Sequence, residues 1–257
     1  MDKFFKVSVI VLLAVISGSG CYQLRRANTP MPAQLYCRAL DYQLTNPQDC
    51  PRAADVMIML PGIGDSVTRF EQEGLIDQLR AANLPLDALV ADAHFGYYRS
   101  RTVQARLRQD VLAPAINAGY HKLHFAGVSL GGFGSLIYWR DNAQGRPASM
   151  TLLTPYLGDP EYYQYKLDPS TEPQQREAEK NLWPWLDTSS VAERGVWYLG
   201  LARSDKFYVP GRALGDMLPA ANVIEVDGQH NWHAWRLMWP QLLQALQRDF
   251  YPQEPKP

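Results

Sequence analysis

The pentapeptide Gly127-Val128-Ser129-Leu130-Gly131 is the segment of this sequence best equipped for chemistry. A serine hydroxyl is a weak nucleophile at neutral pH unless a base takes its proton and donors hold the charge that develops on the attacked carbonyl. Glycines two residues either side of a serine suit a sharp strand-to-helix turn, where larger side chains would collide with neighbouring backbone. The apolar run Lys122 to Val128 before the serine predicts a strand, and Phe133 to Trp139 after it a helix. In that setting the N–H of Leu130, at a helix N-terminus, points toward any oxyanion formed at Ser129.

The remaining parts of such a site have candidates. Leu60-Pro61-Gly62-Ile63-Gly64-Asp65 follows a strongly apolar run, and a turn there offers a second N–H, best assigned to Ile63 with Gly64 close behind. Asp205 follows the apolar stretch Val196 to Leu201, and His230 comes 25 residues later, after a last apolar stretch. In this role imidazole accepts the serine proton while a buried carboxylate fixes its tautomer. The sequence has five histidines. His121 and His124 suit packing or surface positions, and His94 precedes Ser129. His233, in the first turn of the closing helix, competes with His230. Asp205 is preferred over Asp187, in an irregular stretch, and over Asp227, too near His230 to orient it. Phe95, Tyr97 and Tyr98, with Tyr156, are expected to shape an apolar substrate pocket.

These residues need a scaffold that brings strand ends together. Val56 to Leu60 reads as a strand buried on both faces. A helix follows, capped by Ser66, with Phe70, Leu75, Leu79 and Ala82 as its stripe. Then come a strand at Ala88 to Ala91, a helix over Thr102 to Ala118 facing inward through Val103, Leu107, Val111 and Ile116, and strands at Met150 to Leu153 and Asn222 to Val226. A closing helix begins near Asn231, and Pro240 is expected to kink or restart it. The region before residue 53 is less regular, with a short strand at Leu35 to Leu40. Strands alternating with helices predict a mostly parallel sheet covered on both faces, with ligands at the strand C-terminal ends. Between Thr154 and Ser190 the rhythm stops. The stretch holds a charged helical piece at Gln174 to Asn181 and the aromatics Tyr156, Tyr162, Tyr163, Trp183 and Trp185, which suggest a cap.

Over roughly residues 53 to 250 the chain resembles the α/β-hydrolase superfamily. Leu-Pro-Gly-Ile-Gly-Asp, Gly-Val-Ser-Leu-Gly-Gly, Ser-Asp and Gly-Gln-His-Asn-Trp look like its oxyanion, nucleophile, acid and base motifs, in the order that fold uses. The resemblance implies an α/β-hydrolase fold with a small cap after the sixth strand, at about 155–190. It also implies hydrolysis of a carboxylic ester or thioester through an acyl-enzyme, with no cofactor. The same fold hosts acyltransferases and non-catalytic binding proteins, so an envelope acyltransferase and a binding lipoprotein are the alternatives.

Composition narrows the setting. A chain of 257 residues with 46% apolar content suits one large domain. A net charge of -1 argues against a nucleic-acid partner. No C-x-x-C or H-E-x-x-H spacing suggests a metal. Residues 1–20 run from Lys3 and Lys6 through an apolar stretch to Ser17-Gly18-Ser19-Gly20, the layout of a signal peptide. Cys21 follows as in a lipobox, although Gly18 stands where that motif usually has leucine. The expected chain therefore has an N-terminal arm at 21–52 and a hydrolase domain at 53–257. It is expected to be exported to a bacterial periplasm, with possible membrane anchoring through lipidated Cys21, and its partner is a small or lipid-like ester. Cys37 and Cys50 then make one disulfide, worth about 3 kcal/mol from loop closure.

Overall fold

The computed structural model describes residues 25–38, 52–168, 170–173 and 180–252. Its centre is a seven-stranded sheet in the order β1-β3-β2-β4-β5-β6-β7. The strands are β1 (Ala33–Tyr36), β2 (Asp55–Leu60), β3 (Leu86–Ala91), β4 (Leu123–Val128), β5 (Ser149–Leu153), β6 (Val196–Ala202) and β7 (Val223–Val226). β1 pairs antiparallel with β3, and every other pairing is parallel. β2 and β5 are buried along their whole length, as the apolar run Val56 to Leu60 and the apolar or small residues of β5 require of strands covered on both faces.

Chain order and sheet order diverge around β2. The chain steps from β2 to β3 on one side and returns to β4 on the other. The C-terminal ends of β2 and β4 therefore flank a topological switch point, where open α/β sheets leave a crevice for ligands. Pro61 to Asp65 leaves one of those ends, and Ser129 leaves the other.

The helices depart from expectation in instructive ways. The first predicted helix is two short ones, α1 (Arg69–Gln72) and α2 (Leu75–Ala81), separated around Gly74. Ser66 is not its side-chain cap: Thr68 takes the N-cap position and makes no side-chain capping bond, while the Ser66 carbonyl accepts the Arg69 N–H. After α3 (Phe95–Arg99) come α4 (Val103–Arg106), a π-helical stretch at Leu107–Leu112, and α5 (Ala113–Asn117). The wider π turn shifts the inward face by about one residue. Ala115 is buried as a result, and Ile116, expected inside, is 58% exposed. α6 (Leu130–Asp141) starts directly at the serine.

The 155–190 segment leaves from the end of β5, the fifth strand in chain order here, one earlier than the sixth-strand position expected. It holds α7 (Pro160–Leu167) and α8 (Trp183–Thr188), then reaches β6 through α9 (Val191–Arg194). Tyr162, Trp183 and Leu186 are fully buried and join the cluster that contains Trp139 on α6 and Trp197 on β6. Trp183 Nε1 donates to the Leu157 carbonyl (3.0 Å), and the Trp185 ring lies 5.8 Å from Trp197. Most of this aromatic surface covers the sheet as a β5-to-β6 crossover. The predicted helical piece at Gln174 to Asn181 falls largely outside the described residues.

α10 (Tyr208–Gly215) joins β6 to β7, and α11 (Trp232–Phe250) closes the fold, running unbroken through Pro240. Its apolar face, from Trp235 through Leu246, packs on the opposite side of the sheet from α6. The first strand begins at Ala33, two residues ahead of the expected Leu35, and Cys37 is buried just after it. The expected end of that strand, at Ala39 and Leu40, lies outside the described residues, as do Cys50, Cys21 and the predicted signal segment.

Candidate active site

Ser129 sits between β4 and α6 with φ 52° and ψ −111°. A positive φ is uncommon for serine, and here backbone bonds on both sides hold it. Its N–H donates to the Leu153 carbonyl (3.0 Å), and its carbonyl accepts from Phe133 (3.2 Å) and Tyr156 (3.0 Å). The flanking glycines are steric necessities: a Cβ on Gly131 would overlap the Leu60 carbonyl, and one on Gly127 the Gly131 carbonyl. The strained turn thus exists because β2, β4 and α6 meet with no room for side chains.

Asp205 and His230 come from neighbouring strand ends. Asp205, in the turn after β6, has a side chain only 1% exposed. Its Oδ1 accepts the Phe207 N–H at 2.7 Å, which leaves Oδ2 for His230. With its proton on Nδ1, His230 donates to Asp205 Oδ2 (2.7 Å), and its Nε2 accepts from Ser129 Oγ (2.9 Å). The imidazole is fixed laterally by Phe207 (4.9 Å between ring centres) and Trp235 (5.1 Å), both nearly perpendicular to it. Its side chain remains 18% exposed, so one edge of this chain of bonds faces solvent.

The rivals are accounted for by geometry. His233 is exposed on the first turn of α11. His94 caps α3, its Nδ1 accepting the Gly96 N–H at 3.1 Å. Asp187 binds Tyr165 and Lys166, and Asp227 pairs with Arg203 (2.9 Å) at the surface. His124 is buried at the far end of the sheet.

On the other side of Ser129, Gly62 to Asp65 forms a tight turn, with Asp65 N–H donating to the Gly62 carbonyl (3.2 Å). Ile63 and Gly64 are its corners, and Gly64 at φ 86° supplies the left-handed corner a type II turn needs. A Cβ on Gly62 would stand 3.8 Å from Ser129 Cβ, so this turn abuts the elbow. Leu130 is the first residue of α6, so its N–H has no acceptor within the helix. Ser129 thus has a helix start on one flank and this turn on the other.

Of the aromatics expected around a pocket, Tyr156 stands nearest. Its ring lies 5.7 Å from Phe133 and 5.6 Å from Phe207, which itself contacts His230. Tyr98 extends that row through Phe133 (6.4 Å), but its hydroxyl is buried against Gly134 and so turned inward. Phe95 is half-buried against the core. Tyr97 is fully buried, its hydroxyl accepting the Asn28 N–H (3.1 Å), so it is a core residue and offers a substrate no surface.

Sequence inspection missed several neighbours. Asp65 closes the turn beside Ser129, and burial pushes its carboxyl up to about 6 against the opposing pull of Arg69. Phe207 lies two residues beyond the acid and packs on the base. Thr154, the first residue past β5, places Oγ1 3.2 Å from His230 Nδ1, and Trp235 Nε1 donates to that same oxygen (2.8 Å). Thr154 directly follows β5 as Ser129 directly follows β4, a positional signal that its flanking residues do not advertise.

No family model matches the chain, and no curated protein matches it. Solved structures do. An S-formylglutathione hydrolase from Staphylococcus aureus is similar at 15% identity, covering 77% of this chain and 83% of that one, with a TM-score of 0.55. The fluorophosphonate-binding serine hydrolase F of the same organism is similar at 14% identity, covering 83% and 91%, with a TM-score of 0.56. A thermostable carboxylesterase cloned from a metagenomic library is similar at 11% identity, covering 86% and 85%, with a TM-score of 0.54. At these identities the likeness speaks for architecture: the chain has the α/β-hydrolase fold.

Proposed function

We propose that this α/β-hydrolase-fold chain is a serine hydrolase that cleaves a carboxylic ester or thioester through an acyl-enzyme. The observation that carries the proposal is the hydrogen-bonded series Asp205–His230–Ser129, ending at a serine on a strained turn. His230 Nε2 takes the Ser129 proton as Oγ attacks the carbonyl carbon, and Asp205 stabilises the imidazolium that results. The N–H groups of Leu130 and Ile63 receive the oxyanion. As the tetrahedral intermediate collapses, His230 returns the proton to the leaving alcohol or thiol, leaving Ser129 acylated. Water then attacks the acyl group by the same route, with His230 as base.

Tyr156 and Phe207 form the apolar wall beside the reacting carbonyl, with the Tyr98 ring farther along through Phe133. Their aromatic character favours a small or lipid-like ester over a strongly charged one. Export, acylation of Cys21 and a Cys37–Cys50 disulfide belong to the same proposal and rest on residue order and spacing. Thiol counting under non-reducing conditions checks the last of these.

Labelling with a fluorophosphonate probe, followed by peptide mapping, tests the proposal. The expected result is one adduct, on Ser129, and turnover of a chromogenic short-chain ester that falls about 10⁴-fold or more in Ser129→Ala. Full activity in Ser129→Ala would refute the assignment. Trapping the acylated Ser129 peptide by acid quench checks the covalent intermediate, and added alcohol acceptors separate hydrolysis from acyl transfer.

A further inference from the structure

Thr154 combines three features that rarely coincide. It is β-branched, it precedes a proline, and its φ is +39°. A residue before proline is normally held extended, and a β-branched residue at positive φ is a genuine outlier. It is also 2% exposed, with its N–H donating to the Gly200 carbonyl on β6 (2.9 Å). Such strain persists where the surroundings over-determine it, and it concentrates at functional sites. Here it aims the hydroxyl. Thr154 Oγ1 accepts from Trp235 Nε1 (2.8 Å) and lies 3.2 Å from His230 Nδ1.

We infer that Thr154, held by Trp235, is a positioning residue that acts on catalysis through His230; this rests on the proposed hydrolase function. In the tautomer that serves Ser129, Nδ1 carries the proton, and Thr154 Oγ1 shares it with Asp205 Oδ2. The Trp235 indole N–H takes one lone pair of that oxygen, and because Nδ1 carries the proton that Asp205 also accepts, the hydroxyl oxygen meets the imidazole as an acceptor. The arrangement favours the productive tautomer and adds an acceptor to the imidazolium that forms during attack. Among the charged groups nearby, Asp65 closes the turn on the other flank of Ser129, and the Lys206 ammonium sits 4.8 Å from the Phe207 ring centre. Asp205 and Thr154 are therefore the polar groups that contact Nδ1 among the described residues.

The test is Thr154→Val, which keeps the branched shape and removes the hydroxyl, beside Thr154→Ser and Trp235→Phe. Thr154→Val is expected to lower kcat about three- to tenfold, the effect of losing one neutral hydrogen bond, with KM within about twofold. Removing an acceptor from the charged form should also move the acid limb of kcat/KM down by about half a pH unit. Thr154→Ser should restore both, and Trp235→Phe should reproduce part of the loss. Equal losses in Val and Ser, with the acid limb unmoved, would make Thr154 a packing residue and overturn the inference, as would a Val variant with wild-type kcat and pH profile. The hydrolase proposal fails separately, if wild type neither labels nor turns over an ester. Imidazole ¹⁵N titration of His230 then reads the Thr154 effect without turnover: an unchanged tautomer and titration midpoint in Thr154→Val would overturn the inference on its own.

Discussion

The sheet carries a serine, a histidine and an aspartate joined by hydrogen bonds at both of its ends, and the two sets are built for opposite purposes. At the C-terminal ends of the strands stand Ser129, His230 and Asp205. At the other end, His124 on β4 lies in register with Ser149 on β5. Its Nδ1 accepts from Ser149 Oγ (2.7 Å) and its Nε2–H donates to Tyr251 Oη (3.0 Å), which donates on to Asp55 Oδ2 (2.6 Å). The residue types are nearly the same. The surroundings are not.

Ser149 lies in ordinary strand backbone, fully buried, and no helix begins there. His124 has both ring nitrogens occupied by hydroxyls and is 0% exposed, and burial holds it well below its usual value, at about 4. This set ties the end of α11 to the sheet. At the site, by contrast, the serine is strained, the imidazole keeps a solvent-facing edge, and a helix start and a tight turn flank the hydroxyl. Similar bonds become reactive only where geometry leaves room for a substrate and donors for its charge.

Several measurements would break or sharpen that contrast. The largest difference is expected between the two serines. Ser129→Ala should remove nearly all turnover, while Ser149→Ala should leave kcat within about twofold and lower stability by about 1–3 kcal/mol, because His124 Nδ1 loses its buried partner. Comparable losses of turnover in both variants would dissolve the distinction.

The next effect is acid sensitivity. The His124 value is depressed by folding, so its contribution to stability is complete above the unfolded value near 6.5. That contribution is lost as pH falls toward about 4, since the unfolded chain takes up a proton the folded one refuses. Urea unfolding between pH 7 and pH 4 should show up to about 3 kcal/mol of loss from this source, absent in His124→Gln. A matching slope in that variant would place the acid sensitivity elsewhere.

The smallest effect concerns Asp65, whose value is raised in the folded chain. Its carboxyl favours folding below the unfolded value near 3.8, and that preference is lost as pH rises through about 6. Asp65→Asn should therefore gain about 1–2 kcal/mol over wild type at pH 8, and the gain should disappear below pH 4. A gain that persisted at low pH would point to packing rather than charge.

Much of the scaffold was legible because the signals are local. Unbroken runs such as Val56 to Leu60 can hardly avoid becoming buried strands, and glycines at 127 and 131 with a serine between them mark a turn with no space for side chains. Where longer-range packing decided, local patterns misled. The helix stripe through Ile116 failed because that residue stands five positions past Val111, about 140° round an α-helix, while the π turn keeps Ala115 on the inward face. Within 155–190, local pattern does not say which aromatics go where: Trp183 and Trp185 cover the sheet next to Trp197. Tyr97 was assigned to a pocket wall but turns into the core, where Asn28 meets its hydroxyl.

The sequence by itself determined the order of the strand ends and pointed to Ser129 and Asp205, with His230 and His233 both offered as the base, since each follows an apolar run that had to end where it did. Only the tertiary structure decided which histidine reaches the serine, that Thr154 and Trp235 brace it, and that an equally well-bonded Ser149 and His124 lie out of reach. Those outcomes depend on which strand ends become neighbours and on which backbone angles their turns must accept. Both are fixed by packing between segments far apart in the chain.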